Sequence, residues 1–273
     1  MATVVLGYIE GKDFVLDRRE ANGRLEHVPA LINELVNSGP DVIVVVSAPA
    51  AAAAQQATTT IPIVMWSAAD PVAFGLVSNL ARPGGNITGT STMSDVSVSK
   101  ALELLHLLLP AARRVAVLMS SGNVVQLLHL ELTKRSAEAM GLIVIPISAP
   151  TAADLDQAFA EMVAKECEAL FVPVDTAIRP SIPLLAAKSK LPAVYQLGNY
   201  VDIGGLASYG ASPKQIARRT AYYVDRILKG TRPAELPVEE PTIFELAINL
   251  KTAAALGLSI PDAILARADR VIE

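Results

Sequence analysis

The segment Pro40–Met65, PDVIVVVSAPAAAAAQQATTTIPIVM, reads as strand, small polar turn, helix, strand. Val42–Ser47 is almost continuously apolar, as expected of a parallel strand covered on both faces. Ser47-Ala48-Pro49 then opens a run of alanines with the composition of a helix, and Ile61-Pro62-Ile63-Val64 starts the next strand. The plan recurs at Cys167–Tyr195, CEALFVPVDTAIRPSIPLLAAKSKLPAVY. Two copies of one strand–helix–strand unit predict two lobes of the same fold.

The rest of the chain continues the alternation. Ile63–Trp66, Val115–Met119, Leu142–Ile147, Leu170–Val174 and Ala193–Tyr195 read as further buried strands. Three helical stripes lie among them. Leu25, Val28, Leu31, Ile32, Leu35 and Val36 form the first. Leu102, Leu104, Leu105, Leu108 and Leu109 form the second, ended by Pro110. Ile216, Ala217, Thr220, Tyr223, Val224 and Ile227 form the third, ended by Gly230. Alternating β and α elements predict an α/β fold built on parallel sheet. Thr231–Thr242 (TRPAELPVEEPT) holds three prolines and no periodicity, and reads as an extended surface connection. The TIFELAINL that begins at Thr242 resembles a strand.

Bulk properties remove several function classes. The chain has 273 residues, 52% hydrophobic and 4% aromatic, with a net charge of −4. No run of Lys and Arg exceeds two residues, so no nucleic-acid partner is expected. No apolar run approaches the roughly 18 residues of a membrane span. The single cysteine, Cys167, has no second cysteine with which to form an internal disulfide. His27, His106 and His129 fall on predicted helices, far apart in sequence, and read as structural or surface residues. No His/Cys/Asp spacing suits a metal. No Gly-x-Gly-x-x-Gly follows a strand, and there is no Gly-x-Ser-x-Gly. The expectation is a protein with no cofactor and no metal, and not an enzyme.

In open parallel sheets ligands bind outside the carboxyl ends of the strands. That rule selects the candidate residues. Ser47, Ala48 and Pro49 end one strand and open a helix whose amides and hydroxyl suit a carboxylate. Asp70, before Pro71, caps a predicted helix and also suits a ligand ammonium. Thr90 and Ser91 follow the Gly84-Gly85 turn and can donate to a carboxylate. In the second lobe, Ser120 and Asn123 end the strand 115–119, and Asp175 and Thr176 end the strand 170–174. Tyr195 ends another strand, and Tyr209 follows Gly204-Gly205. Either ring can stack on a planar ligand or pack within its lobe.

Three blocks carry a family resemblance. They are TTTIPIVMWSAADPVAFGLVSNLARPGGNITGTS from Thr58, LELLHLLLPAARRVAVL from Leu102, and GGLASYGASPKQIARRTAYYVDRILKGTRPAELPVEEPTIFELAINLKTAAALGLSIPDAILARAD from Gly204. Together they resemble the periplasmic substrate-binding components of ABC importers, of the type that includes tryptophan- and other aromatic-amino-acid-binding proteins. The resemblance implies two doubly wound parallel-sheet lobes of the type I periplasmic-binding-protein kind, joined by three hinge crossings. On that plan the first lobe holds residues 1–92 and 211–232, and the second holds 93–207 and 243–273. It implies a receptor that closes on a small-molecule solute, first guess an amino acid with an aromatic side chain, and hands it to a membrane permease. A ligand-sensing domain of a regulator or chemoreceptor is the alternative. The resemblance also implies that the first strand and helix of the N-terminal lobe are missing, because LGYIEGKDFVLDRREANG, which follows them in the family, starts at Leu6. Expectations drawn from that are a shortened chain with impaired binding, or a homodimer in which a second chain completes the lobe. Family membership implies a periplasmic location, whereas the absence of a signal peptide from the numbered chain implies a cytoplasmic product.

Overall fold

The computed structural model describes residues 7–21, 24–92, 94–119, 124–174 and 179–273. The chain divides into two compact units. Unit 1 comprises Met1–Met93 and Ser212–Ile243, and unit 2 comprises Ser94–Ala211 and Phe244–Glu273. The backbone therefore passes from one unit to the other three times.

Unit 1 holds, in chain order, α1 (Val28–Asn37), β1 (Ile43–Val45), α2 (Ala48–Ala57), β2 (Ile63–Ala69) and β3 (Ile87–Thr92). Among the described residues its sheet is parallel with order β1-β2-β3. Val45 lies opposite Met65, and Val64 opposite Thr88. The core is Ile43, Val45, Ile63, Val64, Met65 and Ile87, all nearly solvent-free. Ala51 and Ala54 of α2 are fully buried, as small side chains allow where a helix approaches a sheet closely.

Unit 2 continues with α3 (Ser94–Leu108), β4 (Arg114–Met119), α4 (Val124–Ala139), β5 (Ile143–Ser148), α5 (Leu155–Ala164), β6 (Ala169–Val172), α6 (Ser181–Lys188), β7 (Ala193–Tyr195), α7 (Asn199–Asp202) and β8 (Ala207–Ala211). The chain then adds α8 (Pro213–Leu228) to unit 1, where Tyr223 and Ile227 pack on Val64 and Leu236. It returns to unit 2 with β9 (Phe244–Asn249), α9 (Leu250–Ala255), α10 (Asp262–Leu265) and β10 (Arg270–Ile272). The seven strands run in the order β10-β9-β8-β7-β6-β4-β5, parallel throughout except for the β8–β9 pair. Alternate residues of each central strand enter opposite cores. Val115, Val117, Phe171 and Val194 meet Leu102 and Leu105 of α3 on one face. Ala116, Leu118, Leu170 and Val172 meet Leu155, Phe159 and Ile182 on the other. A sheet covered by helices on both faces is the doubly wound α/β arrangement that the apolar runs predict.

Three local expectations change. The strand read at Val42–Ser47 is Ile43–Val45 only, because Ser47 already serves as the N-cap of α2. The helix expected after Asp70-Pro71 is a single turn: Phe74 N–H donates to the Asp70 carbonyl, and Gly75, with φ +67°, ends it. The Pro-rich connection is only partly a surface segment, since Leu236, Val238 and Pro241 are buried within unit 1 while Arg232, Glu235, Pro237 and Glu240 are exposed.

Gly89 fixes how closely β3 approaches β2. Its φ is +128°, and a Cβ there meets the Met65 carbonyl oxygen at 2.3 Å and its nitrogen at 2.5 Å. Neither atom can yield without moving β2, where the register shifts between Met65 and Ala68. Gly89→Ala is therefore expected to destabilise the protein by about 3 kcal/mol. Denaturant unfolding of the variant checks this, and an unchanged midpoint contradicts it.

Candidate functional site

At the carboxyl end of β1, Ser47 has φ +108° and ψ +154°, a region that only glycine occupies at ease. Its hydroxyl accepts a 3.4 Å hydrogen bond from Ala50 N–H, and its carbonyl accepts from Ala51 N–H at 3.1 Å. At the end of the neighbouring β2, Asp70 has φ +37°. One carboxylate oxygen accepts a 3.0 Å bond from Ala73 N–H, and the side chain is exposed. The Gln55 amide of α2 donates to the carbonyls of Gly75 at 3.0 Å and Leu76 at 3.3 Å, so α2 and the Asp70 turn are held together. Among the described residues the other two non-glycine residues with positive φ, Glu166 and Lys190, follow the ends of α5 and α6, where such a conformation is an ordinary helix stop.

β3 contributes unequally. Thr90 is 4% exposed, and its hydroxyl donates to the Trp66 carbonyl, which fastens β3 to β2 at the register shift. That hydroxyl is spent inside the sheet. Ser91 is 2% exposed, and its Oγ has no hydrogen-bond partner among the described residues. A buried hydroxyl without a partner costs free energy. Ala48 is buried under the first turn of α2, where Pro49 contributes no N–H.

In unit 2, Ser120, Asn123, Asp175 and Thr176 lie outside the described residues. Tyr195 is a correction. Its ring is fully buried in the core, stacked on Tyr200 at 4.8 Å, and burial pushes its phenol above the usual tyrosine range. Strand alternation explains this, because Tyr195 shares its face with Val172, its register partner. Tyr209 is half-buried and stacks on Phe244 with ring centroids 5.8 Å apart and planes 2° from parallel. Phe244 is therefore part of that aromatic surface, a partnership visible only once β8 and β9 are paired.

A buried polar cluster adjoins the end of β6. The Gln196 amide oxygen accepts from Val174 N–H at 2.8 Å, and its nitrogen donates to Ser97 Oγ at 2.9 Å. Gln126 donates to the Val174 carbonyl at 3.3 Å, and His129 bonds the same carbonyl. The backbone N–H and C=O of Val174 are thus both held by side chains. Burial pushes the His129 imidazole down to about 4 and keeps it neutral.

Among the described residues no group of three His, Cys, Asp or Glu side chains can hold a metal, and no helix is long and apolar enough to cross a membrane. Cys167 is half-buried, and burial raises its thiol, which is the wrong direction for a nucleophile.

A model of the ABC transporter substrate binding protein family matches residues 4–272. The chain belongs to that family. As an ABC substrate-binding protein it takes a small-molecule ligand and has a transporter permease as partner, and members of the family are periplasmic or extracellular. It is similar to a tyrosine-binding protein of Clostridioides difficile (strain R20291), with 29% identity over 255 residues, covering 92% of this chain and 73% of that protein. It is also similar to the structure of an ABC domain in complex with L-Trp from Streptococcus pneumonia. The TM-score is 0.88 at 30% identity, covering 99% of this chain and 92% of the other. A conserved domain protein from Vibrio cholerae superposes with a TM-score of 0.91 at 33% identity, covering 99% and 91%. Unit 2 and the parallel sheet of unit 1 are accordingly the α/β architecture of periplasmic binding proteins of type I.

The neutral His129 makes this ABC substrate-binding protein sensitive to acid. Its folded pKa lies below the usual histidine value, so unfolded chains take up a proton that folded ones do not. Stability is complete above about pH 6.5 and falls by about 3 kcal/mol as pH drops towards 4. His129→Gln, whose amide can still donate to Val174, is expected to lose the slope between pH 6.5 and 5, above the range where carboxylates contribute. Unfolding free energies measured across that window check it.

Proposed function

We propose that the protein binds an amino acid with an aromatic side chain and delivers it to its permease, acting as a receptor and not as an enzyme. The observation that carries this reading is the pair of strained residues, Ser47 and Asp70, at the carboxyl ends of adjacent parallel strands. Strain of this kind costs about 1–3 kcal/mol per residue and persists where a binding geometry needs it. The two residues present opposite chemistries. The exposed Asp70 carboxylate keeps one oxygen for an ammonium group. The Ser47 hydroxyl, the Ala48 N–H that opens α2, and the Ser91 hydroxyl offer donors to a carboxylate, while Pro49, which has no N–H, fixes the backbone of that turn. Thr90 supports them from within the sheet. A zwitterion requires both kinds of partner, and a sugar requires neither.

In unit 2, the flat Tyr209–Phe244 surface suits a planar side chain. The relatives support the same class, since one is described as tyrosine-binding and one was solved with L-Trp.

Thermal unfolding with tyrosine, tryptophan, phenylalanine, aliphatic amino acids and sugars tests the reading. A ligand at 100 times its dissociation constant stabilises the fold by about 2.7 kcal/mol. Stabilisation by aromatic amino acids alone is expected, and stabilisation by sugars alone overturns the reading. Asp70→Asn is expected to weaken binding roughly tenfold or more by removing the charge opposite the ammonium. Ser47→Gly is expected to stabilise the free protein by about 1 kcal/mol while weakening binding. A glycine variant that gains stability and binds as tightly as before places the solute elsewhere.

A further inference from the structure

One face of α8 grips the Pro-rich connection at every turn. Tyr223, Arg219 and Gln215 are spaced four residues apart and so stand in one row along the helix. The Tyr223 hydroxyl donates to the Pro237 carbonyl at 2.6 Å. The Arg219 guanidinium, 4.2 Å above the Tyr222 ring, donates to both oxygens of Glu239 at 2.6 and 2.5 Å. The Gln215 amide donates to Thr242 Oγ1 at 2.8 Å and accepts from Ile243 N–H at 3.0 Å. Three side chains thus hold residues 237–243 in register along the helix.

The gripped segment in turn holds β3. Glu239 N–H donates to the Gly89 carbonyl at 3.0 Å, and the Glu239 carbonyl accepts from Ser91 N–H at 2.8 Å. Thr90 and Glu239 form a parallel bridge. The backbone of Ser91, whose hydroxyl has no partner, therefore hangs on the backbone of Glu239, and the Glu239 side chain hangs on Arg219. A cavity of 310 Å³ opens between Thr90, Arg219, Glu239 and Thr242. On that open side the segment is held by polar bonds, while Leu236, Val238 and Pro241 pack it against unit 1 from the other.

The grip also sits where the chain changes units. Ser91 is two residues before the first passage, Gln215 follows the second within its first turn, and Ile243 is the last residue before the third.

We propose that Arg219 and Glu239 are positioning residues for solute binding, forming with Gln215 and Tyr223 a latch that sets where β3 presents Ser91. The inference rests on the solute site proposed at the strand ends of unit 1. Neither residue touches the solute. Their part is to hold the strand that does, as supporting groups do around other binding sites.

The test uses the whole protein and the aromatic amino acid that stabilises it most, with dissociation constants from calorimetry on folded samples. Hydrogen exchange at the Ser91 and Glu239 amides is followed in parallel, with the Ile43 amide, bonded to the Pro62 carbonyl at 2.9 Å, as control. Arg219→Met and Glu239→Gln are each expected to raise the dissociation constant roughly tenfold, the usual effect of removing a residue that holds a binding group in place. Ser91 and Glu239 lose exchange protection while Ile43 keeps its own. Arg219→Lys, which keeps the charge and one bond, restores part of the affinity. Arg232→Ala, which breaks an exposed pair with Glu235, leaves it unchanged. Variants that melt earlier yet bind as tightly, with Ser91 still protected, overturn the latch and leave an ordinary structural ion pair. A wild-type chain that binds none of the amino acids overturns the solute site instead. Exchange at Ser91 then decides alone whether Arg219 holds β3.

Discussion

A strand in a parallel sheet has two edges, and each must find hydrogen-bonding partners. In unit 1, β2 serves one edge of β3. The other is served by chain that is distant in sequence: Thr88 Oγ1 donates to the Leu236 carbonyl across 148 residues, and Glu239 pairs with Gly89 and Ser91. Everything else in the unit depends on that closure. It lies beside α8, whose Tyr223 and Ile227 pack on Val64 and Leu236, it buries Leu236, Val238 and Pro241 of the Pro-rich connection, and it holds the β3 backbone on either side of Thr90. The ion pair that secures it is half-exposed, with both partners about one-third accessible. Its Coulombic part is therefore modest. Its specificity comes from the two-pronged geometry and from the Tyr222 ring that stacks on the guanidinium.

The two units meet the demands of a binding protein by different means. Unit 1 stores backbone strain at Ser47 and Asp70 and stabilises it with short local bonds and the Gln55 tether. Unit 2 stores nothing comparable at its described strand ends. It surrounds the Val174 backbone with side-chain amides and a neutral imidazole, which leaves that residue little freedom. The sheet cores beneath both are ordinary interleaved apolar packing. A binding surface laid on such cores can change its chemistry without changing its fold.

The fold was largely legible because buried parallel strands advertise themselves. VAVLM and LFVPV are apolar without alternation and largely buried, and the α8 stripe has clear helical spacing; VIVVVS is equally apolar, yet Val44 and Val46 are exposed, so it is not covered on both faces as its composition suggests. The Pro-rich connection was misread for a physical reason: its partners are β3 and α8, and pairing across the length of the chain leaves no local pattern. The turn after Asp70 was misread because Asp-Pro opens a helix and a lone turn alike, and Gly75 decides between them. Of the candidate site, Ser47 and Asp70 followed from the strand-end rule, although their strain is invisible in sequence. Tyr195 was misplaced because its strand is short, and the direction in which its ring points depends on register.

The alanines of α2 have a consequence of their own. Ala48, Ala51 and Ala54 lie almost solvent-free against the sheet, and none has a rotamer to lose. The wall behind Ser47 is thus as ordered before a guest arrives as after it. A solute bound at the site proposed here would meet a wall that needs no ordering, so the heat of its binding would report the new bonds with little contribution from ordering.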